Sequence, residues 1–360
     1  MSPGDELQPL ICDLVATESV NPDLVQSGSG EANIAAFVAS WLRDAGLEVT
    51  IVEPVPGRPS VLGIARGSGG GKSLMLNAHM DTVGAGGMVD PFTPVVRDGR
   101  IHGRGAYDMK ASLAAIMLAG RECKSLELKG DVLVCAVADE EVASIGTAAV
   151  LKQFHADYGI CAEPTELSLC IAHKGFVWLE VETTGVAAHG SRADLGVDAI
   201  ARMGPVLTRV LDLENTLRAS PRHPLLGTGS IHASLIEGGT EMSTYPDRCV
   251  VKIERRTVPG ESIASVLAQI DGARLVLERP PSEVPADHPL VLALERAADH
   301  PPLIGVAYWM DMALMNAAGI PTVAFGPSGE GAHADVEWVD VASVEKCLVL
   351  YRSAAAAVCS

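Results

Sequence analysis

Positive charge is scarce in this sequence of 360 residues. Lys and Arg number 27 against 45 Asp and Glu, which gives a formal net charge of −18 at pH 7. A chain this acidic is expected to stay soluble and to bind neither nucleic acid nor an anionic membrane. The sequence also has no apolar run of membrane-spanning length, and the acidic residues 1–6 do not resemble a signal peptide. We therefore expect a protein without a membrane partner.

Closely paired cysteines are lacking too. The eight cysteines are scattered without a C-x-x-C pair, and most of them lie inside apolar stretches. Buried, reduced thiols explain this pattern best, and they are typical of the cytoplasm. We expect a cytoplasmic protein whose length allows one large domain with an ample core and a smaller second domain.

What the sequence does contain is a series of metal-binding side chains at the ends of apolar runs or in glycine-rich turns. In chain order these are His79 with Asp81, Asp108, Glu140 with Glu141, Glu163 and His333. Taken singly, each would usually be a solvated or loop residue. Together they indicate a two-metal hydrolase, in which two divalent ions share a water molecule, lower its pKa and orient it as a nucleophile.

The charges of such a centre would balance. Two Zn²⁺ ions and one bridging hydroxide would be neutralised by the carboxylates of Asp108, Glu141 and Glu163, with His79 and His333 as neutral ligands. A neutral cluster can be tolerated in a desolvated pocket.

The metal-binding side chains are expected at the carboxyl ends of strands, where open α/β sheets bind ligands. Buried strands are predicted at 74–78, 132–138, 158–162 and 322–325. Asp81 lies two residues beyond His79 and is expected to orient its imidazole. Asp108 is expected at the N-terminus of a helix over 111–119, where backbone N–H groups would stabilise a carboxylate that bridges both metals.

Glu140 and Glu141 follow one strand, and their neighbouring side chains should diverge. One of the two can bind a metal while the other acts as general base. His189 lies in a turn of small residues, 187–191, before a predicted helix. A turn or capping role explains it about as well as a catalytic role does.

The middle of the chain changes character. Strands are predicted at 176–183, 230–237, 248–255 and 274–278, with helices at 194–218 and 261–271. This βαββαβ order predicts an inserted α+β domain with two helices on one sheet face. The fold class is therefore α/β: a discontinuous catalytic domain at 1–171 and 286–360, with a sheet flanked by helices, and a lid domain at 172–285. Elements at 290–298, 308–318 and 322–325 are expected to complete the catalytic domain.

Five segments resemble the dimetallic peptidase/deacylase family, which includes acetylornithine deacetylase, succinyl-diaminopimelate desuccinylase, aminoacylases and glutamate carboxypeptidase. They are residues 76–83, 103–110, 139–141, 162–165 and 331–333, and they follow the family order along essentially the whole chain. The resemblance implies a mixed central sheet and two Zn²⁺ ions, for which Co²⁺ could substitute. His79 and Glu163 would hold one ion, Glu141 and His333 the other, and Asp108 would bridge them. Glu140 would be the base and Asp81 the partner of His79.

The resemblance also reaches the lid domain. His189 matches the histidine that in family dimers supports the oxyanion in the other subunit's active site, and the lid is commonly the dimerisation module. Arg256 matches an arginine that grips a substrate carboxylate, which a guanidinium fork suits well. An edge-strand arginine paired with Glu254 or Glu261 would explain Arg256 almost as well. Ser243 stands where the family often has a substrate-binding asparagine, so amide contacts are not expected there.

The expected function is hydrolysis of an N-acyl amino acid or a related small amide, by attack of a water that bridges the metals. Glu140 would move the proton, and the metals with His189 would stabilise the oxyanion. A di- or tripeptidase or a carboxypeptidase is the alternative, because peptide and acyl-amide bonds share this chemistry. A catalytically silent, ligand-binding homologue is disfavoured because Glu140 is present.

Overall fold

The structure, a computed structural model, describes residues 3–360. It contains two compact units. The first comprises the described residues up to Ile171, together with Val284–Ile304 and Met310–Ser360. The second comprises Ala172–Glu283 and Gly305–Trp309. The chain thus leaves the first unit and returns to it, and residues 305–309 belong with the second unit.

Helices and strands are numbered in chain order. The helices are α1 Pro3–Ala16, α2 Ala32–Asp44, α3 Ala111–Cys123, α4 Ile145–Val150, α5 Ala199–Ala219, α6 Ile263–Leu267, α7 Pro289–Ala297, α8 Met312–Ala317 and α9 Val341–Val358. The strands of the first half are β1 Glu48–Val52, β2 Ser60–Ala65, β3 Leu74–His79, β4 Val95–Arg97, β5 Arg100–His102, β6 Val132–Val137, β7 Tyr158–Cys161, β8 Leu169–His173, β9 Gly175–Thr184 and β10 Ala188–His189. The remaining strands are β11 Ser230–Gly238, β12 Thr244–Tyr245, β13 Arg248–Thr257, β14 Arg274–Arg279, β15 Ser282–Glu283, β16 Leu303–Val306, β17 Thr322–Ala324, β18 Gly329–Glu330 and β19 Trp338–Asp340.

The large sheet of the first unit has the order β1-β2-β6-β3-β7-β17-β8. Strands β6, β3, β7 and β17 are parallel, whereas β1 with β2, β2 with β6, and β8 with β17 pair in antiparallel fashion. Because β2, β3 and β6 are buried along their whole length, they read as apolar runs rather than alternating ones. Helices α4 and α8 pack on one face through Met75 and Leu133, and α3 with α9 packs on the other. The predicted mixed sheet flanked by helices is confirmed.

A second, smaller sheet of the first unit is antiparallel, with the order β18-β19-β5-β4. Asp108 follows its strand β5, and His333 lies between its strands β18 and β19. The expectation that all five metal-binding segments end strands of one sheet is therefore wrong. The large sheet supplies His79, Glu140, Glu141 and Glu163, and loops of the small sheet supply the other two side chains.

The second unit has the predicted βαββαβ order, formed by β9, α5, β11, β13, α6 and β14. Its antiparallel sheet has the order β11-β13-β9-β14. Inward residues of the central strands, such as Leu179 and Val251, pack with Met203 and Leu213 of α5 and Val266 of α6. Both helices therefore contribute to one apolar core with the sheet, as the alternation of apolar residues predicts.

Three predicted helices are too long at one or both ends. Helix α5 starts at Ala199 rather than at 194, because the Asp198 side chain caps it by accepting the backbone N–H of Ala201. Helix α6 has only five residues after a capping box at Ser262. The segment predicted at 308–318 is helical only from Met312. The side chains of Asp198 and Ser262 cap the first two of these helices, and periodicity alone does not reveal such caps.

None of the helices in the described chain is both long and apolar enough to cross a membrane. All eight cysteines are free thiols, and every one except Cys12 is buried.

Candidate metal centre

Two strand ends of the large sheet bring His79 and Glu163 together. His79 is the last residue of β3, and Glu163 follows the neighbouring parallel strand β7 by two residues. His79 Nε2 lies 3.8 Å from Glu163 Oε1 and 3.1 Å from Asp108 Oδ1. Both side chains are almost fully buried. These three residues form the first cluster of possible metal ligands.

Asp108 also reaches the second cluster. Its other oxygen, Oδ2, lies 3.5 Å from His333 Nε2, and His333 Nε2 lies 3.1 Å from Glu141 Oε2. Each oxygen of Asp108 thus faces a different histidine. A carboxylate with this arrangement can bridge two cations, whose separation in dinuclear hydrolases is about 3.5–4 Å.

The surroundings of Asp108 differ from the expectation. Helix α3 begins only at Ala111, and residues 106–110 form a single wide turn in which Asp108 has non-helical angles, φ −119° and ψ 92°. The Asp108–Met109 peptide bond is cis. Backbone N–H groups of this turn, including that of Asp108 itself, donate to the carboxylate of Glu337. The prediction that helix N–H groups hold the Asp108 carboxylate is wrong, since the histidines contact it instead.

Glu140 and Glu141 follow β6 and diverge as predicted. Oxygens of Glu140 lie within 4.8 Å of donor atoms of His79 and Glu163, and those of Glu141 lie within the same distance of His79 and Asp108. Both glutamates are therefore close enough to the clusters to bind a metal. The division into one base and one ligand remains a prediction.

Asp81 contacts the imidazole of His79 through its backbone carbonyl more closely than through its carboxylate, which was expected to orient the ring. His79 Nδ1 lies 2.9 Å from the backbone carbonyl oxygen of Asp81 and 3.6 Å from its carboxylate. The Asp81 carboxylate accepts the backbone N–H groups of Glu140 and Glu141, at 3.1 and 3.2 Å. The imidazole is thus held mainly by the backbone, and the carboxylate holds the segment that carries both glutamates.

Sequence reasoning missed a buried polar network behind Asp81. Asn21 Nδ2 donates to Asp81 Oδ2 at 2.8 Å and to Asp139 Oδ1 at 3.0 Å. Arg58 donates to the same Asp139 oxygen at 2.9 Å and pairs with both oxygens of buried Glu31. The network extends from the segment before β2 to the Glu140 segment. Nothing in the local sequence of Arg58 or Glu31 signals it, because the partners are 27 to 81 residues apart.

Burial and mutual contact shift the pKa values of the clustered groups in the metal-free protein. Burial raises the pKa of Glu163 to about 8 and raises the pKa of Glu140 well above its ordinary value. Hydrogen bonds to Asp108 and Glu141 raise the pKa of His333 to about 10. Although burial opposes it, contacts with His333 and His79 lower the pKa of Asp108. Without added cations, the centre therefore retains protons that metal ligands must lose.

The residues present fit divalent cations. The carboxylate and imidazole donors are the oxygen and nitrogen ligands that Zn²⁺ and related metals accept. Glu141 Oε1 is buried and, within residues 3–360, has no hydrogen-bond partner. An orphaned carboxylate oxygen is costly unless another charge satisfies it. A cation between Glu141, His333 and Asp108 would do so.

His189 and Ser243 lie in neighbouring segments of the second unit. Strand β10 pairs with β12, which places His189 opposite Thr244, and the backbone N–H of Gly190 donates to the Ser243 carbonyl at 2.6 Å. His189 Nδ1 accepts the backbone N–H of Ser191 at 3.2 Å, which leaves Nε2 as the ring nitrogen that can donate a hydrogen bond to another group. His189 is exposed.

Arg256 lies on β13, a central strand of its sheet. The alternative that it is an edge-strand arginine is therefore wrong about the strand. It does pair with Glu254, since Arg256 Nε donates to Glu254 Oε1 at 2.8 Å, and it stacks on Phe176 at 5.0 Å. Glu261 instead pairs with the buried Arg255. The contact with Glu254 uses the Nε atom of Arg256. The binding of a substrate carboxylate by Arg256 remains a prediction.

Comparison with known proteins covers nearly the whole chain. A family model described as Peptidase family M20/M25/M40 matches residues 75–357. Acetylornithine deacetylase from Photorhabdus laumondii is 28% identical over 363 residues, covering 92% of this chain and 91% of that protein. The structure of aminopeptidase PepT from Bacillus cereus superposes with a TM-score of 0.80 at 20% identity, covering 99% of both chains. A Bacillus subtilis protein described as a dinuclear metal-binding peptidase from family M20 gives a TM-score of 0.69 at 16% identity, again over 99% of both chains.

Proposed function

Because the chain belongs to peptidase family M20/M25/M40 and is a hydrolase of this family, we propose that it removes the acyl group from an N-acyl amino acid or a related small amide. The observation that carries the proposal is the position of Asp108, whose two oxygens face His79 and His333. This arrangement suits two cations, and the curated relatives with similarity over most of their length include acetylornithine deacetylases.

We assign His79 and Glu163 to one cation, Glu141 and His333 to the other, and Asp108 to both. Zn²⁺ is the proposed metal, with Co²⁺ as a working substitute. When bound, the two cations would supply Lewis-acid polarisation of the scissile carbonyl and a water of lowered pKa. The short distances that join His79 to Glu163 and Asp108, and His333 to Glu141 and Asp108, support this assignment.

Glu140 is the proposed base. Its carboxylate lies beside His79 and Glu163, and burial raises its pKa. A raised pKa suits a group that takes a proton from the attacking water and then delivers it to the leaving nitrogen, because a catalytic pKa near the working pH favours both transfers. Asp81 holds the backbone of Glu140 and Glu141 through its carboxylate. Base and ligand therefore share one anchored segment.

The second unit would supply substrate contacts. His189 can donate from Nε2 to the developing oxyanion, a contact that is strongest as the negative charge forms. Arg256 would bind a substrate carboxylate, and the exposed Ser243 would line the same subsite. We further propose a homodimer that pairs through the edge of this unit's sheet, in a reducing cytoplasm. The exposed residues of edge strand β11 and the eight free thiols support these two points.

A hydrolysis panel tests the proposal. N-acetyl, N-succinyl, N-formyl and N-carbamoyl amino acids would be assayed beside di- and tripeptides, with Zn²⁺ and with Co²⁺, and with the Glu140→Gln variant as control. Turnover of an N-acyl amino acid that Glu140→Gln lacks would support the deacylase function. Turnover of peptides alone would favour the peptidase alternative. A protein that binds two metals and hydrolyses nothing would instead be a silent homologue.

A further inference from the structure

Glu337 is a buried carboxylate that lies outside the predicted ligand set. It sits four residues after His333, in the segment before β19, and its side chain has no exposed surface. It accepts backbone N–H groups from Gly105 at 2.9 Å, Tyr107 at 2.8 Å and Asp108 at 3.1 Å. Glu337 therefore holds the turn that carries Asp108.

Arg104 completes this arrangement. Its side chain is 2% exposed and donates from Nη1 to Glu337 Oε2 at 2.7 Å. It also donates from Nη2 to the carbonyl of Ala334, next to His333, at 2.8 Å and from Nε to the carbonyl of Gly84 at 3.1 Å. From just before the Asp108 turn, this one side chain thus contacts the loop after β3 and the His333 loop.

Neither of the two ligand segments has regular secondary structure to hold it. Asp108 has non-helical angles, and His333 has a left-handed backbone with φ 62°. The backbone N–H groups of the Asp108 turn are satisfied by a carboxylate from the His333 side of the small sheet. Because a buried ion pair brings little net stability, its presence here is better explained by the geometry that it imposes.

We propose that Arg104 and Glu337 are positioning residues that set the separation of Asp108 and His333, and thereby the affinity of the second metal site. The inference rests on the proposed dinuclear function. It predicts that the pair acts on the cation held by Glu141 and His333 more strongly than on the cation held by His79 and Glu163. The reason is that His79 and Glu163 are anchored by neighbouring strands of the large sheet.

The test compares Glu337→Gln with Glu261→Gln. Glu261 is a matched control, because it also pairs with a fully buried arginine, Arg255, and accepts a backbone N–H, that of Val258, at 2.8 Å. It lies in the second unit, which holds none of the proposed ligands. Each metal-free protein would be titrated with Zn²⁺ against a competing chelator, and with Co²⁺ followed by its visible absorption spectrum.

Glu337→Gln should bind the second equivalent about 10- to 100-fold more weakly, the range for lost contacts behind metal ligands, with a smaller change for the first. Its Co²⁺ spectrum should change mainly in the second equivalent. Arg104→Lys should lose less, because lysine keeps the charge but not the three-way fork. Arg104→Lys carries the test alone if Glu337→Gln does not fold. Glu261→Gln should bind both equivalents like the wild type, even if it is less stable to heat.

Three results would overturn the inference. Wild-type affinity for both equivalents in the Glu337 variant, or in Arg104→Lys where that variant carries the test, would show that the ion pair does not position the ligands. An equal loss in Glu261→Gln would mark the effect as general destabilisation. A wild-type protein that binds no second equivalent would remove the proposed function itself and this inference with it, which distinguishes the two failures.

Discussion

The carboxylate of Asp81 accepts the backbone N–H of Glu140 at 3.1 Å, across 59 residues of sequence. The same carboxylate accepts the N–H of Glu141 and the side-chain amide of Asn21. The segment that carries the proposed base is therefore anchored to the end of β3, the strand that carries His79. Glu140 and His79 keep their separation because the carbonyl of Asp81 contacts the imidazole while its carboxylate holds the Glu140 segment.

Replacement of Asp81 should therefore impair more than the orientation of His79. Asp81→Ala removes the acceptor of two backbone N–H groups, so we expect metal affinity to fall by about 10- to 100-fold and kcat to fall even when excess metal restores occupancy. Metal analysis and steady-state kinetics would measure the two effects. Asp157→Ala is the matched control, since Asp157 accepts the N–H of Ser73 beside the other end of β3. Equal losses in both variants would contradict this role.

Glu140 and Glu141 should fail differently when each is changed to glutamine. Glu140→Gln cannot accept a proton, so kcat should fall by about 10²- to 10⁴-fold with two metals still bound. Glu141→Gln removes a charge from the second cluster, so it should lose metal first and recover part of its activity in excess Zn²⁺. Metal content of the purified variants checks this. Loss of a metal equivalent from Glu140→Gln instead would reverse the two assignments.

His189 is predicted to act in the active site of the partner subunit. His189→Ala should keep its metals but lose about 10²-fold or more in kcat, the scale of a lost oxyanion donor. Mixing it with inactive Glu140→Ala should restore some activity through hybrid dimers once subunits exchange. His155→Ala, which removes an exposed histidine of the first unit, should retain normal kcat. Hybrids that stay inactive after proven exchange would refute action across subunits.

Arg256 is predicted to recognise a substrate carboxylate. Arg256→Ala should raise KM strongly for free-acid substrates and much less for their amides or esters, because only the acid loses a charged contact. Arg248→Ala is the control, since Arg248 lies on the same strand and also pairs through Nε with a glutamate, Glu182, at 3.0 Å. An equal rise in KM for acids and amides would indicate that Arg256 only neutralises the charge of Glu254.

Metal binding should become tighter as the pH rises. In the metal-free protein Glu163 has a pKa of about 8 and His333 a pKa of about 10, and both must be deprotonated to bind a cation. At a pH below the pKa of such a group, the metal must displace its proton, and the metal affinity then falls by about tenfold for each pH unit and each proton. Calorimetry in buffers of different ionisation enthalpy should detect proton release between pH 6 and 8. Binding that is independent of pH over this range would show that these two groups are not ligands.

The recognition of the family and of the fold class came from the sequence. The motifs around His79, Asp108 and Glu163 were sufficient, and the family match over residues 75–357 confirms the resemblance. Strands β3 and β6 were also predictable, because a strand buried on both faces leaves a continuous apolar run. The βαββαβ order of the second unit was predictable too, but from the alternation of apolar and polar residues along its strands.

By itself, then, the sequence determined which residue types gather at the centre, since strand ends and glycine-rich turns are local features. Only the tertiary structure decided how these residues are held. The partners Glu337 with Arg104 are 233 residues apart, and Arg58 with Asp139 are 81 apart. No local sequence pattern around a buried arginine or glutamate indicates its partner, because the pairing depends on which loops the folded sheets bring together. For the same reason the local sequence predicts a helix start at Asp108, where the structure has an irregular turn.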